Sequence, residues 1–172
     1  MNPRRNLSHL AGAAALLVAV LAAPGTTTAQ DTGRESLLAS YHDSSGNLPP
    51  PFAWSLSAII TTDDTLRAEY CSAYGPPLGW CREASTGLAP DAIKAVLAAA
   101  RNSDLVRRPA RVEGPPPAGG SSEQGMVMLD GVRIDLPPFP VNEDRARVTH
   151  VLDAVAAAIP GEMRLQLSAP NE

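Results

Sequence analysis

Only two of the 172 residues are cysteine, three are histidine, and aromatic side chains make up 4% of the chain. Each scarcity removes a class of chemistry. A zinc ribbon needs four closely spaced Cys or His ligands. Here Cys71 and Cys81 have no partners nearby, and His42 and His150 form no H-x-H or H-x-x-x-H pair. No Gly-rich phosphate loop precedes a helical pattern, and no C-x-x-C-H haem attachment is present. The stretch "GGSSEQG" has serines among glycines but not the spacing of a nucleophile elbow. The sequence therefore predicts no cofactor, no metal and no recognisable catalytic set, although two acids that meet only in space would escape such a reading.

Basic residues are also in the minority, with 14 Lys and Arg against 18 Asp and Glu and a net charge of −4. That sign lacks the electrostatic footprint of a nucleic-acid or anionic-membrane binder. The one long apolar run, Leu10 to Ala23, is too short to span a bilayer comfortably. It follows Arg4 and Arg5 and leads into "PGTTTAQ", so residues 1–29 read as a cleaved secretory signal with Gln30 as the mature start. An uncleaved anchor fits less well, because Pro-Gly-Thr rather than a basic flank follows Ala23. The expectation is an exported protein of the periplasm or extracellular space, with no membrane insertion after cleavage.

Export decides how the cysteines are read. In "YCSAYGPPLGWC", an oxidising compartment makes Cys71 and Cys81 a disulfide. A chain reversal at Pro76 sets Cys71 opposite Cys81 and Ser72 opposite Trp80. A second hairpin precedes it: "FAWSLSAII" and "LRAEYCS" alternate, and a turn about Asp63 pairs Ile60 with Leu66, Ala58 with Ala68 and Leu56 with Tyr70. On that register Cys71 shares the outer face with Ser55, Ser57 and Glu69.

"TGLAPDAIKAVLAAARN" then predicts an amphipathic helix with Pro90 in its first turn and a stripe of Ile93, Val96, Leu97 and Ala100. Residues 109–124 are a long Pro-, Gly- and Ser-rich loop. Asp130-Gly131 marks a two-residue hairpin turn that pairs Leu129 with Val132 and Val127 with Ile134, leaving Met126, Met128, Arg133 and Asp135 on the other face. A last helix opens at Asn142 as cap, buries Val148, Val151, Leu152, Val155 and Ile159, and stops at Pro160-Gly161. "MRLQLS" alternates weakly, as a short final strand would.

The order hairpin, helix, loop, hairpin, helix reads as two degenerate β-β-α units. Their apolar faces need one another, which predicts an α+β two-layer sandwich: an antiparallel sheet of about four to five strands with two helices on one face. The domain is placed at 52–167, after a flexible leader at 30–51 in which His42 lies, and before a disordered tail at 168–172.

Three function classes remain. The favoured one is a non-enzymatic binding module of the bacterial envelope or secreted fraction. It would contact another protein or a glycan through the hairpin tip (Tyr74, Pro76, Pro77, Leu78, Trp80) and the loop at Pro115, Pro116 and Pro117. The alternatives are a small hydrolase using His42 or His150 with a serine or acid, and a purely structural envelope component.

Overall fold

Alternation in the sequence becomes strand wherever one face is apolar and the other polar. The computed structural model describes residues 36–46, 48–49, 52–72, 80–112, 114 and 120–169. Within them run β1 (Leu37–Ser44), β2 (Trp54–Thr61), β3 (Thr65–Ser72), β4 (Trp80–Gly87), α1 (Pro90–Asn102), β5 (Ser122–Leu129), β6 (Val132–Leu136), α2 (Asn142–Ala157) and α3 (Gly161–Ser168). The six strands form one antiparallel sheet in the order β4-β3-β2-β1-β5-β6.

The predicted registers are present. Ile60 faces Leu66, Ala58 faces Ala68 and Leu56 faces Tyr70; Cys71 faces Cys81 and Ser72 faces Trp80; Leu129 faces Val132 and Val127 faces Ile134. Asp130 and Gly131 have φ of 52° and 80°, the left-handed pair that a primed hairpin turn requires.

One sheet face carries Ala39, Tyr41, Leu56, Ala58, Ile60, Leu66, Ala68, Val127, Leu129, Ile134 and Leu136. They join Ile93 and Val96 of α1, Val148, Val151, Leu152 and Val155 of α2, and Met163 and Leu167 of α3 in one hydrophobic core. The α+β two-layer sandwich is thus the architecture, with six strands and three helices.

Five expectations change. The leader at 30–51 is not a flexible segment throughout: β1 lies between β2 and β5, pairing with both. It separates the two predicted hairpin units, which therefore do not meet directly, so the doubled β-β-α description fails to account for the centre of the sheet. "MRLQLS" is α3 rather than a strand. Met163 and Leu167, four apart, are buried while Leu165 between them is 72% exposed, which is helical and not alternating periodicity. Val132 is 45% exposed despite its inward register, because it sits beside the turn on edge strand β6. Asn142 is the first residue of α2 rather than its cap, a position held by Val141 without a side-chain hydrogen bond.

The start of α2 is instead held by Asp144, which is 4% exposed. Its carboxylate accepts from the Arg111 main-chain N–H at 2.9 Å, the Arg111 Nε at 3.2 Å and the Arg147 Nη2 at 2.6 Å. Arg147 also donates to the Ser103 and Arg108 carbonyls, at 3.2 and 3.1 Å. The result ties the chain after α1 to the helix that covers the sheet centre.

Candidate functional site

Strand alternation places the chemistry on two faces and one end of the sheet. The outer face, opposite the helices, is mostly polar, with Ile59, Met126 and Met128 among its side chains. Cys71 and Cys81 are joined there with an S–S distance of 2.02 Å, in line with Ser55 on β2. Glu69 lies close enough to both sulfurs to suggest a ligand cluster. The sulfurs are bonded to each other, however, so neither is the thiolate that a metal would need.

His42 is on this outer face, in β1, and its Nδ1 lies 2.9 Å from the Ser57 hydroxyl of β2. This is nucleophile–base distance. Both residues nevertheless sit on interior strands paired on both sides, whose main-chain N–H groups are committed to ladders. The pair shares its surroundings with Arg133 of β6. It is a cross-strand polar pair in a shallow groove of ≈ 460 Å³. His150 is exposed on α2.

The end of the sheet has more structure. Ser72 of β3, Trp80 of β4, Trp54 of β2, Ser44 of β1 and Ser122 of β5 all terminate or begin their strands there: Trp54 pairs with Ser72, Ser72 with Trp80, and Ser44 with both Ser55 and Ser122. The β1–β2 and β3–β4 connections and the chain entering β5 therefore share this one end. The first is closed by Ser45, whose N–H donates to the Trp54 carbonyl at 3.0 Å and whose hydroxyl accepts the Trp54 N–H at 2.8 Å. Gly46 has φ +67°, and a Cβ there would fall on the Gly120 carbonyl oxygen. Only glycine lets these two connections touch.

An aromatic row spans the helix side of the same end. Trp54 stacks on Tyr70 with centroids 6.1 Å apart and planes at 13°, and Tyr70 meets Trp80 at 5.8 Å and 44°. The Arg82 guanidinium carbon lies 4.9 Å above Trp80, and its Nη1 donates to the Gln166 carbonyl at 3.0 Å, linking the row to α3. All three rings are only partly buried, so they offer apolar surface together with polar handles.

Trp54 is also one wall of a cleft of ≈ 750 Å³ between this sheet end and α2, with Asp43, Glu123, Phe139, Arg145 and Leu152 among its other walls. Asp43 and Glu123 are directly opposed on β1 and β5. Burial pushes the Asp43 carboxyl above its ordinary range, against the opposing pull of the Ser44 N–H, His42 and Arg164. Glu123 accepts the Tyr41 hydroxyl at 3.3 Å.

Of the contact residues read from sequence, Trp80 is in the aromatic row. Tyr74, Pro76, Pro77, Leu78, Pro115, Pro116 and Pro117 lie outside the described residues, as does the signal at 1–29. The residues missed were Asp43, Glu123 and Trp54, together with the surroundings of His42. The signal available was the alternation of Ala39 and Tyr41 in "LLASYHDS", too short on large apolar side chains to stand out. Among the described residues, no helix is long and apolar enough to cross a membrane. Comparison of the chain with protein-family models and with curated proteins finds no match.

Proposed function

We propose that this protein is a non-enzymatic binding module, exported to the periplasm or beyond, that grips another protein with the loop-bearing end of its sheet. The observation that carries the reading is convergence. Ser72, Trp80 and Ser122, the strand ends next to the hairpin tip and after the loop at Pro115, Pro116 and Pro117 that the sequence reads as contacts, lie at one end of one sheet. Between them are Trp54, Tyr70 and Trp80, with Arg82 at the margin. Half-buried Trp, Tyr and Arg are the side chains that dominate protein–protein binding energy. A scaffold with loops at one end is a common way to present them. The disulfide one residue inside Ser72 and Trp80 limits how far the ends of the tip can separate.

The test is site-specific photocrosslinking in an envelope extract, with the photoreactive group at Tyr74 or Pro116 and, as control, at exposed His150. Protein adducts at both loop positions but not at His150 are expected, and Trp54→Ala with Trp80→Ala should abolish them. Equal adducts at His150, or adducts that survive the double substitution, would overturn the reading. Retention on glycan rather than protein would reassign the ligand and reject the protein-binding proposal.

A further inference from the structure

The two edges of the sheet are unequally protected. β6 is five residues long and runs into Pro137-Pro138, a short edge closed by residues that cannot extend a ladder. β4 is eight residues long, contains no proline and pairs with β3 from Trp80 to Gly87 without a register shift. Among the described residues no strand covers its other side.

Two observations fix which main-chain groups face that open side. Leu88 donates its N–H to the Asp64 carbonyl at 2.8 Å, which puts even-numbered residues of β4 in hydrogen-bonded pairs with β3. The Cα atoms of Cys71 and Cys81 are 4.1 Å apart. That spacing belongs to a non-hydrogen-bonded antiparallel pair, so odd-numbered residues point their N–H and C=O groups away from β3. Cys81, Glu83, Ser85 and Gly87 thus present a continuous edge without proline or bulge, and all four are exposed.

We propose that this edge pairs with β4 of a second copy of the chain, antiparallel and about a twofold axis at Ala84, to make one continuous sheet through the dimer. In this register Cys81 meets Gly87 of the partner subunit and Glu83 meets Ser85 of the partner subunit, so all four outward-facing residues bond at once. Arg82 lies opposite Thr86 of the partner subunit. An axis at Arg82 would oppose two arginines, and one at Glu83 would oppose two glutamates, each an unfavourable cross-strand pair. An axis at Ser85 leaves Cys81 unpaired. Self-complementarity of this kind is what an isologous interface demands.

Sedimentation velocity of the oxidised protein over a micromolar concentration series tests it. A monomer–dimer equilibrium is expected. Ser85→Pro removes an edge N–H without touching the β3 ladder, and should give a monomer with unchanged circular dichroism. If that variant fails to fold, the charge pair decides. Ser85→Glu places a carboxylate opposite Glu83 of the partner subunit twice per dimer and should weaken association about tenfold, whereas Ser85→Lys should tighten it. A strictly monomeric wild type, or a dimer indifferent to the charge at position 85, would overturn the proposal.

Discussion

The hydroxyl of Tyr41 donates to a carboxylate oxygen of Glu123 at 3.3 Å, joining residues 82 apart in sequence. Burial, helped by the nearby Asp43 and Glu123 carboxylates, pushes that hydroxyl far above its ordinary range and keeps it a donor. The bond crosses from β1 to β5, the seam between the two halves of the chain that sequence periodicity makes visible.

Strand β1 is therefore expected to be indispensable. Deleting residues 30–47 should abolish cooperative unfolding, because β2 and β5 lose their common neighbour. Tyr41→Ala, at 3% exposure, should cost about 3–5 kcal/mol and Tyr41→Phe about 0.5–1.5 kcal/mol. Urea titrations followed by circular dichroism measure all three, and a cooperatively folding deletion variant would remove β1 from the core.

The β2–β3, β3–β4 and β5–β6 pairings were legible because each carries turn chemistry or a cysteine pair that fixes register. Strand β1 was not. Its inward positions are Ala39, Tyr41 and Asp43, a single large side chain among small and polar ones, and its two neighbours are contributed by distant chain. Its burial comes from being surrounded, not from its own hydrophobicity. The cleft stayed hidden for the same reason: Asp43 and Glu123 become neighbours only when β1 pairs with β5. Helix α3 was misread because six residues with Met, Leu and Leu at alternate positions satisfy strand periodicity, and only Met163 and Leu167 four apart reveal the buried stripe.

Ile134 and Arg133 are adjacent but face opposite sides of β6. Ile134 is 3% exposed within the shared core, so Ile134→Ala should cost about 2–5 kcal/mol. Arg133 is exposed and pairs with Asp135 at 2.6 Å, an arrangement for which Arg133→Ala should cost under about 1 kcal/mol. Equilibrium denaturation gives both values, and the reverse order would contradict the assignment of faces.

Two carboxylates should act on acid stability with opposite signs. The Arg111 N–H, then the Arg147 and Arg111 side chains, hold the Asp144 carboxyl well below the ordinary carboxylate range. The unfolded chain takes up this proton first, so the stabilisation is complete at neutral pH and is lost as pH falls below about 4. Burial raises the Asp43 carboxyl; its ionised form weakens the fold at neutral pH, and the penalty fades as pH drops through the raised value toward about 4. Asp144→Asn should destabilise at pH 7 and flatten the acid limb. Asp43→Asn should stabilise at pH 7, with the gain gone near pH 3. Urea midpoints at pH 7, 5 and 3 distinguish the two patterns.

The disulfide lies on the outer face, away from the core, so its removal should lower stability while leaving the sheet intact. Cys71 and Cys81 are 10 apart in sequence, and closing so short a loop limits the unfolded chain by about 2.5–3 kcal/mol in the entropic model. Replacing both by Ser should cost roughly that amount, with far-ultraviolet circular dichroism unchanged because Leu66, Ala68 and Ile60 still bury their side chains. The change should concentrate at the loop-bearing end. Trp80 is next to Cys81 and packs against Tyr70 with tilted rings at 5.8 Å, so loosening the bridge should expose it and raise its quenching by acrylamide. Trp54, held by Ser45 from the other side, should respond less. Single-tryptophan variants, Trp54→Phe and Trp80→Phe, separate the two signals in oxidised and Ser-substituted protein. Equal quenching of Trp80 in both forms would mean that the disulfide does not brace this end, and that its contribution is confined to the unfolded chain.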